Sequence, residues 1–287
     1  MGESKGGVMR KNITIGVIQL DTQNDKAKNL EAIAGFIGEA KEKGASLVAL
    51  PEMANFIGRG FRDEAEELAT GVTFKHLSAL AKKHQLWIHG GSIYEINPKD
   101  PAKPFNSTML INPDGALVSV YRKIHPFDVE LKEGPSYRES DQISVGNEIV
   151  TVDTGAVGHL GFSICYDLRF GELFRLMALQ GAEILFVPAN FVLNTGKDHW
   201  EALLRARAIE NGCYVVAPAQ CGVKPAFTAY GKSLVVDPWG NVIAKAPDKP
   251  GVILAEIDFA YLESVRNQVM TLPNRRDDLY ELALKKR

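Results

Sequence analysis

"GHLGFSICYDLRF" (residues 158–170) is apolar from His159 to Ile164, reaches a thiol at Cys165, and turns polar at Tyr166, Asp167 and Arg169. The apolar run predicts a short buried strand, and beyond it Phe170, Leu173, Phe174 and Met177 recur at helical spacing. Cys165 therefore falls where a strand hands over to a helix. In α/β proteins ligands gather at the carboxyl ends of strands. A helix amino terminus adds unpaired N–H groups and a positive dipole end, which favour a thiolate or an oxyanion. A free cysteine is more often a small buried hydrophobe, so the position makes Cys165 a candidate and no more.

Outward from this seam the pattern repeats. Apolar runs read as strands at 13–20, 46–50, 86–94, 109–111, 117–121, 149–152, 184–187, 214–217, 234–236 and 252–257. Helical spacing appears at 27–43, 74–84, 170–180 and 199–211. The first helix sets Leu30, Ile33, Ala34, Ile37 and Ala40 on one face, with Asn24 or Asp25 as cap and Gly44 as stop. "NPDG" (112–115) and "DPWG" (237–240) each separate two strand-like runs and read as hairpin turns. Strands alternating with helices in some places and hairpins in others predict an α/β fold, a mixed sheet with helices outside it. No repeat or linker divides the chain. The polar, Gly-rich "MGESKGGVMR" (1–10) reads as a disordered leader, and 11–287 as a single domain.

The 287 residues are 45% hydrophobic and 24% charged, a composition that supports a large core. With 33 basic and 35 acidic residues in no long single-sign block, the net charge of -2 argues against binding nucleic acid or a membrane surface by bulk charge. A small-molecule partner is expected. Cys165, Cys213 and Cys221 form a sparse, odd set that fits a reducing compartment, so a cytoplasmic location is expected. No apolar stretch approaches the roughly 18 residues of a membrane span. The cysteines and the six histidines lack metal-ligand spacing, so no metal is expected.

Two other strand ends carry chemistry. Glu52 closes "ASLVALPE" (45–52), and Lys123 closes "ALVSVYRK" (116–123). Either charge alone is most simply a solvated group at a strand end. A Cys, a Glu and a Lys at the carboxyl ends of three strands are a different matter, because together they suffice for acyl transfer. A thiol is only slightly ionised at neutral pH and needs a base, which Glu52 supplies. Lys123 then stabilises the oxyanion, with the backbone N–H of Tyr166 completing the hole.

"LPEM" (50–53), "YRKIHPFD" (121–128) and "GFSICYDLRFGEL" (161–173), in this order, resemble the carbon-nitrogen hydrolase, or nitrilase, superfamily, as do "GKDHWEALLRARAIENGCYVVAPAQ" (196–220) and "YGKSLVVDPWG" (230–240). The resemblance implies a four-layer α-β-β-α sandwich of mixed sheets and a Glu-Lys-Cys triad of Glu52, Lys123 and Cys165. It also implies a homodimer or higher homo-oligomer paired through helical faces, and chemistry without a cofactor. The family's second glutamate falls on Glu139 in "YRES" (137–140), with Glu130 in "FDVE" (127–130) as the competing position. Asp167 and Arg169 are then expected to order the turn behind the nucleophile.

Tyr166 and Asp167 stand where nitrilases tend to carry Trp and Glu, which favours an amidase. The pattern is similar to the branch that contains omega-amidases and deaminated glutathione amidases. The expected reaction is hydrolysis of a small carboxylate-bearing amide, with release of ammonia. The alternative is an N-carbamoyl-amine amidohydrolase or a nitrilase with the same triad. Phe191, Asn194, Thr195 and Lys197 in the "NFVLNTGKDHW" segment (190–200) are the candidates for the substrate wall. A Cys-His enzyme using His125 or His159 fits poorly, since "FSICYD" lacks the glycines of a nucleophile elbow.

Overall fold

The computed structural model describes residues 10–130 and 137–285. The expected leader lies outside them except for Arg10, whose Nη2 is 2.6 Å from Glu183 Oε1. In chain order the first half contains β1 (Ile13–Gln19), α1 (Lys26–Glu42), β2 (Leu47–Ala49), α2 (Val72–His84), β3 (Trp87–His89), β4 (Ile93–Glu95), β5 (Phe105–Ile111), β6 (Leu117–Arg122), β7 (Asp128–Val129) and β8 (Tyr137–Arg138). The second half contains β9 (Thr151–Asp153), β10 (His159–Phe162), α3 (Gly171–Leu179), β11 (Ile184–Phe186), α4 (Leu193–Asn211), β12 (Tyr214–Ala217), β13 (Cys221–Val223), β14 (Thr228–Tyr230), β15 (Leu234–Val236), β16 (Val242–Lys245), β17 (Gly251–Ile257) and α5 (Phe259–Val269).

Two mixed sheets are built on the same plan. In the first, β1, β2 and β3 run parallel, β17 pairs antiparallel with β1, and β5 continues antiparallel from β3. In the second, β10, β11 and β12 run parallel, with β9 and the β15–β16 hairpin antiparallel at the flanks. The period of two in each strand divides their side chains. Ile15, Val17, Leu47, Ala49, Leu110 and Tyr121 face the second sheet and join its core, while Ile18, Val48, Ile88 and Met109 face α1 and α2. Leu173, Phe174, Met177, Trp200 and Leu204 of α3 and α4 cover the second sheet from the other side. The layers are therefore α-β-β-α. Close approach of α1 depends on Gly16, where a β-carbon would come within 2.9 Å of the Ala40 β-carbon.

Several expectations hold and four points differ. Both hairpin turns join antiparallel neighbours, β5 to β6 and β15 to β16, and Asp25 caps α1 by accepting the Lys28 N–H. The run at 86–94 is not one strand, because β3 and β4 lie end to end along one edge of β5 with a break between them. Helix α4 begins at Leu193 rather than 199, and α5 was not anticipated. The thiol also does not enter α3 directly. A 3-10 turn, Cys165–Arg169, separates it from that helix.

Candidate active site

The break between β3 and β4 exists to receive the segment after β2. The Leu50 N–H donates to His89 O, the Ser92 N–H to Pro51 O, and the Ala54 N–H to Ser92 O, so residues 50–54 are stitched into the gap. Gly91, at φ +65°, makes room, since a β-carbon there would lie 2.1 Å from Pro51 O. This delivers Glu52 to the sheet's carboxyl edge. Lys123 follows β6 directly, its N–H bonded to Asn106 O at 2.8 Å. Cys165 is three residues past β10, its N–H bonded to Pro188 O at 2.9 Å, and its backbone is left-handed at φ +50°. Met53, beside Glu52, is also left-handed at φ +54°. Such backbone is costly for residues other than glycine and concentrates at functional sites.

The three strand ends converge. Lys123 Nζ lies 3.1 Å from Glu52 Oε1 and 2.9 Å from Glu139 Oε2, and all three side chains are at most 5% exposed. Glu52 Oε1 also accepts from Asn106 Nδ2 at 2.9 Å, and its Oε2 accepts the Asn190 N–H at 2.8 Å. Glu139 sits on a short 3-10 helix, Glu139–Asp141, and takes the Phe127 N–H on the oxygen that faces Lys123. Glu130 is exposed.

Burial opposes the charge on Lys123, but the carboxylates of Glu139 and Glu52 outweigh it and hold its pKa well above the ordinary lysine value. Burial likewise raises the carboxyl of Glu139, against the pull of Lys123 and with the push of Glu52. The Cys165 thiol is driven well above its usual range, first by burial and then by the Glu52 charge, with Lys123 opposing. Burial and the neighbouring Glu52 charge thus both disfavour the thiolate, while the two carboxylates favour the ammonium on Lys123.

Asp167 is fully buried, and its carboxylate spans two segments. Oδ2 accepts from the Ile164 N–H at 2.8 Å and from Tyr121 OH at 2.6 Å. Oδ1 accepts from the His125 N–H at 3.0 Å and faces His125 Nδ1 at 2.7 Å. One side chain thus ties the residue before Cys165 to residues on both sides of Lys123. His125 is occupied in this brace, its ring stacked on Phe170 at 3.7 Å. The Tyr166 ring packs edge-on to Phe127 and Phe170.

The guanidinium of Arg169 stands 5.6 Å from the ring centres of both Tyr166 and Phe191, and no carboxylate pairs with it among the described residues. Of the expected wall, Phe191 is buried against Trp200. Asn194, Thr195 and Lys197 lie on the first turns of α4 rather than in a loop, with Asn194 and Lys197 exposed and Thr195 half-buried.

Asn106, Asn190 and Gln220 escaped the sequence reading. Gln220 Nε2 donates to Glu52 O at 2.9 Å and its Oε1 accepts the Thr22 N–H at 3.0 Å, anchoring the glutamate's main chain from the second sheet. Their signal is faint: each is a neutral polar residue at or beside an apolar run. Among the described residues no three His, Cys, Asp or Glu side chains could hold a metal ion, and no helix is long and apolar enough to cross a membrane.

Two mixed sheets that present such a cluster at their carboxyl edges define a class, and comparison with known proteins agrees. The family model described as Carbon-nitrogen hydrolase matches residues 14–267, and the chain belongs to that family. The deaminated glutathione amidase of Synechocystis sp. is 41% identical over 263 residues, covering 90% of this chain and 96% of that protein. Omega-amidase NIT2 of Homo sapiens is 38% identical over 275 residues, covering 95% and 98% respectively. The nitrilase and fragile histidine triad fusion protein NitFhit of Caenorhabditis elegans is 41% identical over 272 residues, 93% of this chain but only 62% of that longer protein. Its crystal structure matches with a TM-score of 0.89, covering 96% of this chain and 68% of that one. The resemblance read from the motifs is borne out at the level of family and fold.

Proposed function

We propose that the protein hydrolyses the C–N bond of a small carboxylate-bearing amide, an omega-amide of a dicarboxylic acid or deaminated glutathione, through a thioester on Cys165. The observation that carries this reading is the Lys123 ammonium bridging two buried carboxylates beside a thiol on left-handed backbone. As sulfur attacks the amide carbon, Glu52 takes the thiol proton. Lys123 Nζ and the Tyr166 N–H hold the tetrahedral oxygen, each such donor contributing roughly 3–4 kcal/mol to the transition state. The C–N bond breaks, and the proton on Glu52 passes to the leaving nitrogen, which departs as ammonia. A water molecule, its proton taken by Glu52, attacks the thioester. The C–S bond breaks, the thiolate recovers the proton, and a carboxylic acid leaves.

Glu139 serves as the second glutamate, holding Lys123 and accepting from the substrate amide. Asp167 keeps the nucleophile and the lysine in register. Arg169 receives the substrate carboxylate: its guanidinium, which touches His199 Nδ1 at 3.3 Å and pairs with no carboxylate among the described residues, lies beside the rings that directly follow Cys165 and Asn190, and Arg is the natural bidentate partner of such a group. The buried Phe191 ring flanks that position, and half-buried Thr195 remains a candidate for the wall. The reading carries with it a cytoplasmic homodimer or higher homo-oligomer of one domain spanning 11–287, and a cycle without metal or cofactor.

The test is ammonia release from α-ketoglutaramate, α-ketosuccinamate, deaminated glutathione, an N-carbamoyl amine and a simple nitrile, with Cys165→Ala as blank and mass spectrometry of the acylated chain. Turnover of a carboxylate-bearing amide, with the acyl group on Cys165, supports the reading. Turnover of the carbamoyl compound or the nitrile alone overturns the substrate class, and turnover that survives Cys165→Ala overturns the mechanism.

A further inference from the structure

Asn106 is an improbable residue for its place. It lies within β5, 1% exposed, between Tyr94 on β4 and the start of Lys123's segment. Asparagine is depleted in strands, and a buried amide needs all its partners. Here Oδ1 is buried with none among the described residues. An unsatisfied buried acceptor costs free energy that an apolar side chain of the same size would avoid, so folding alone does not account for Asn at this position. What the residue does have is a link to two members of the site at once. Its main-chain oxygen accepts the Lys123 N–H at 2.8 Å, and its Nδ2 donates to Glu52 Oε1 at 2.9 Å.

Lys123 Nζ reaches that same oxygen at 3.1 Å while lying nearer, at 2.9 Å, to Glu139. Without Asn106, Oε1 would depend on a donor that a second carboxylate also attracts. Only the Asn190 N–H, on the other oxygen, would then hold the carboxylate plane. We infer that Asn106 is a positioning residue for acylation, gauging the separation of Glu52 and Lys123 and holding the Glu52 carboxylate toward the Cys165 thiol. The inference rests on the reading of Glu52 as the base.

Asn106→Leu keeps the branching and the number of heavy atoms, is bulkier, and removes both polar atoms. Asn106→Ala removes them without adding bulk or charge. The experiment follows alkylation of Cys165 by iodoacetamide at pH 7, by mass spectrometry, which needs no substrate and reports proton removal from the thiol. It adds kcat and KM on the amide that the panel identifies, and the melting temperature. The expected result is alkylation and kcat slower by about 10- to 100-fold, the loss of one charge-assisted bond, with KM within about threefold and melting within a few degrees of the wild type.

A folded variant that alkylates and turns over at the wild-type rate overturns the inference. So does a loss confined to KM, and so does failure of both variants to fold, which would make Asn106 structural. Glu52→Gln separates the two levels. If it alkylates as fast as wild type, the reading of Glu52 fails and the inference with it; if only the Asn106 variants do, the inference alone fails.

Discussion

Lowering the pH from 7 to 5 weakens this fold by about 2 kcal/mol through one residue, His89. The ring projects from β3 into the space between the sheets, fully buried, stacked on Phe186 at 4.4 Å and on Phe162 at 5.6 Å. One nitrogen lies 3.3 Å from Thr108 Oγ1 and the other, Nδ1, has no partner among the described residues. Burial drives its pKa down from 6.5 to about 3. The unfolded chain therefore takes up a proton that the folded protein refuses. His89 costs nothing above the unfolded value, and stability falls as pH drops from about 6.5 toward 3. At about 1.4 kcal/mol per unit, the loss is roughly 2 kcal/mol at pH 5 and approaches roughly 5 near pH 3.

The assay is urea unfolding by tryptophan fluorescence at pH 7 and 5, on wild type and His89→Phe. Wild type should lose about 2 kcal/mol more than the variant over this interval. Carboxylates held below their usual range, such as Glu66, lose their contribution at lower pH and in both proteins alike, so the difference isolates the imidazole. Equal pH dependence in the two proteins would refute the assignment. Because the Leu50 N–H is bonded to His89 O, acid should also slacken the segment that carries Glu52, and activity should fall with stability on that limb.

Asp167→Asn presents N–H hydrogens to a site built of donors, so it should cost about 2–5 kcal/mol of stability and lower kcat about 100-fold or more; an unchanged kcat in steady-state assays would show that the brace is not needed. His125→Ala removes one of the four contacts to Asp167 and should lower the acylation rate, followed in single-turnover experiments, less than about tenfold, whereas a Cys-His mechanism predicts a loss of several orders of magnitude. Arg169→Lys should raise KM for a carboxylate-bearing amide about tenfold or more with kcat largely kept, and a matching drop in kcat alone would place Arg169 elsewhere in the cycle.

The architecture was legible because the central strands are buried on both faces and read as plain apolar runs, Ile184–Phe186 and Tyr214–Ala217 being clear cases. Cys165, Glu52 and Lys123 stood out because each breaks such a run at its end. The split of 86–94 falls between His89 and Ile93, where Gly90 and Gly91 are a turn signal inside an otherwise apolar run, and the break serves a segment some forty residues earlier. Helix α4 was shortened at its start because Asn194, Thr195 and Gly196 have the composition of a loop. In the fold Gly196 lies under Tyr230, where a β-carbon would come within 2.4 Å of the ring. Asn106 and Gln220 act through contacts 54 and 168 residues away along the chain, and no local pattern records such a distance.

The left-handed backbone at Cys165 sets folding and chemistry at odds. A residue with a β-carbon loses roughly 1 kcal/mol in that conformation, and glycine would lose almost nothing. Cys165→Gly should therefore relax the turn at the moment it removes the proposed nucleophile. Selection for stability alone would drift toward glycine there, and only selection for turnover keeps the sulfur. In a lineage released from hydrolysis, position 165 is where decay of the enzyme would carry its own thermodynamic reward.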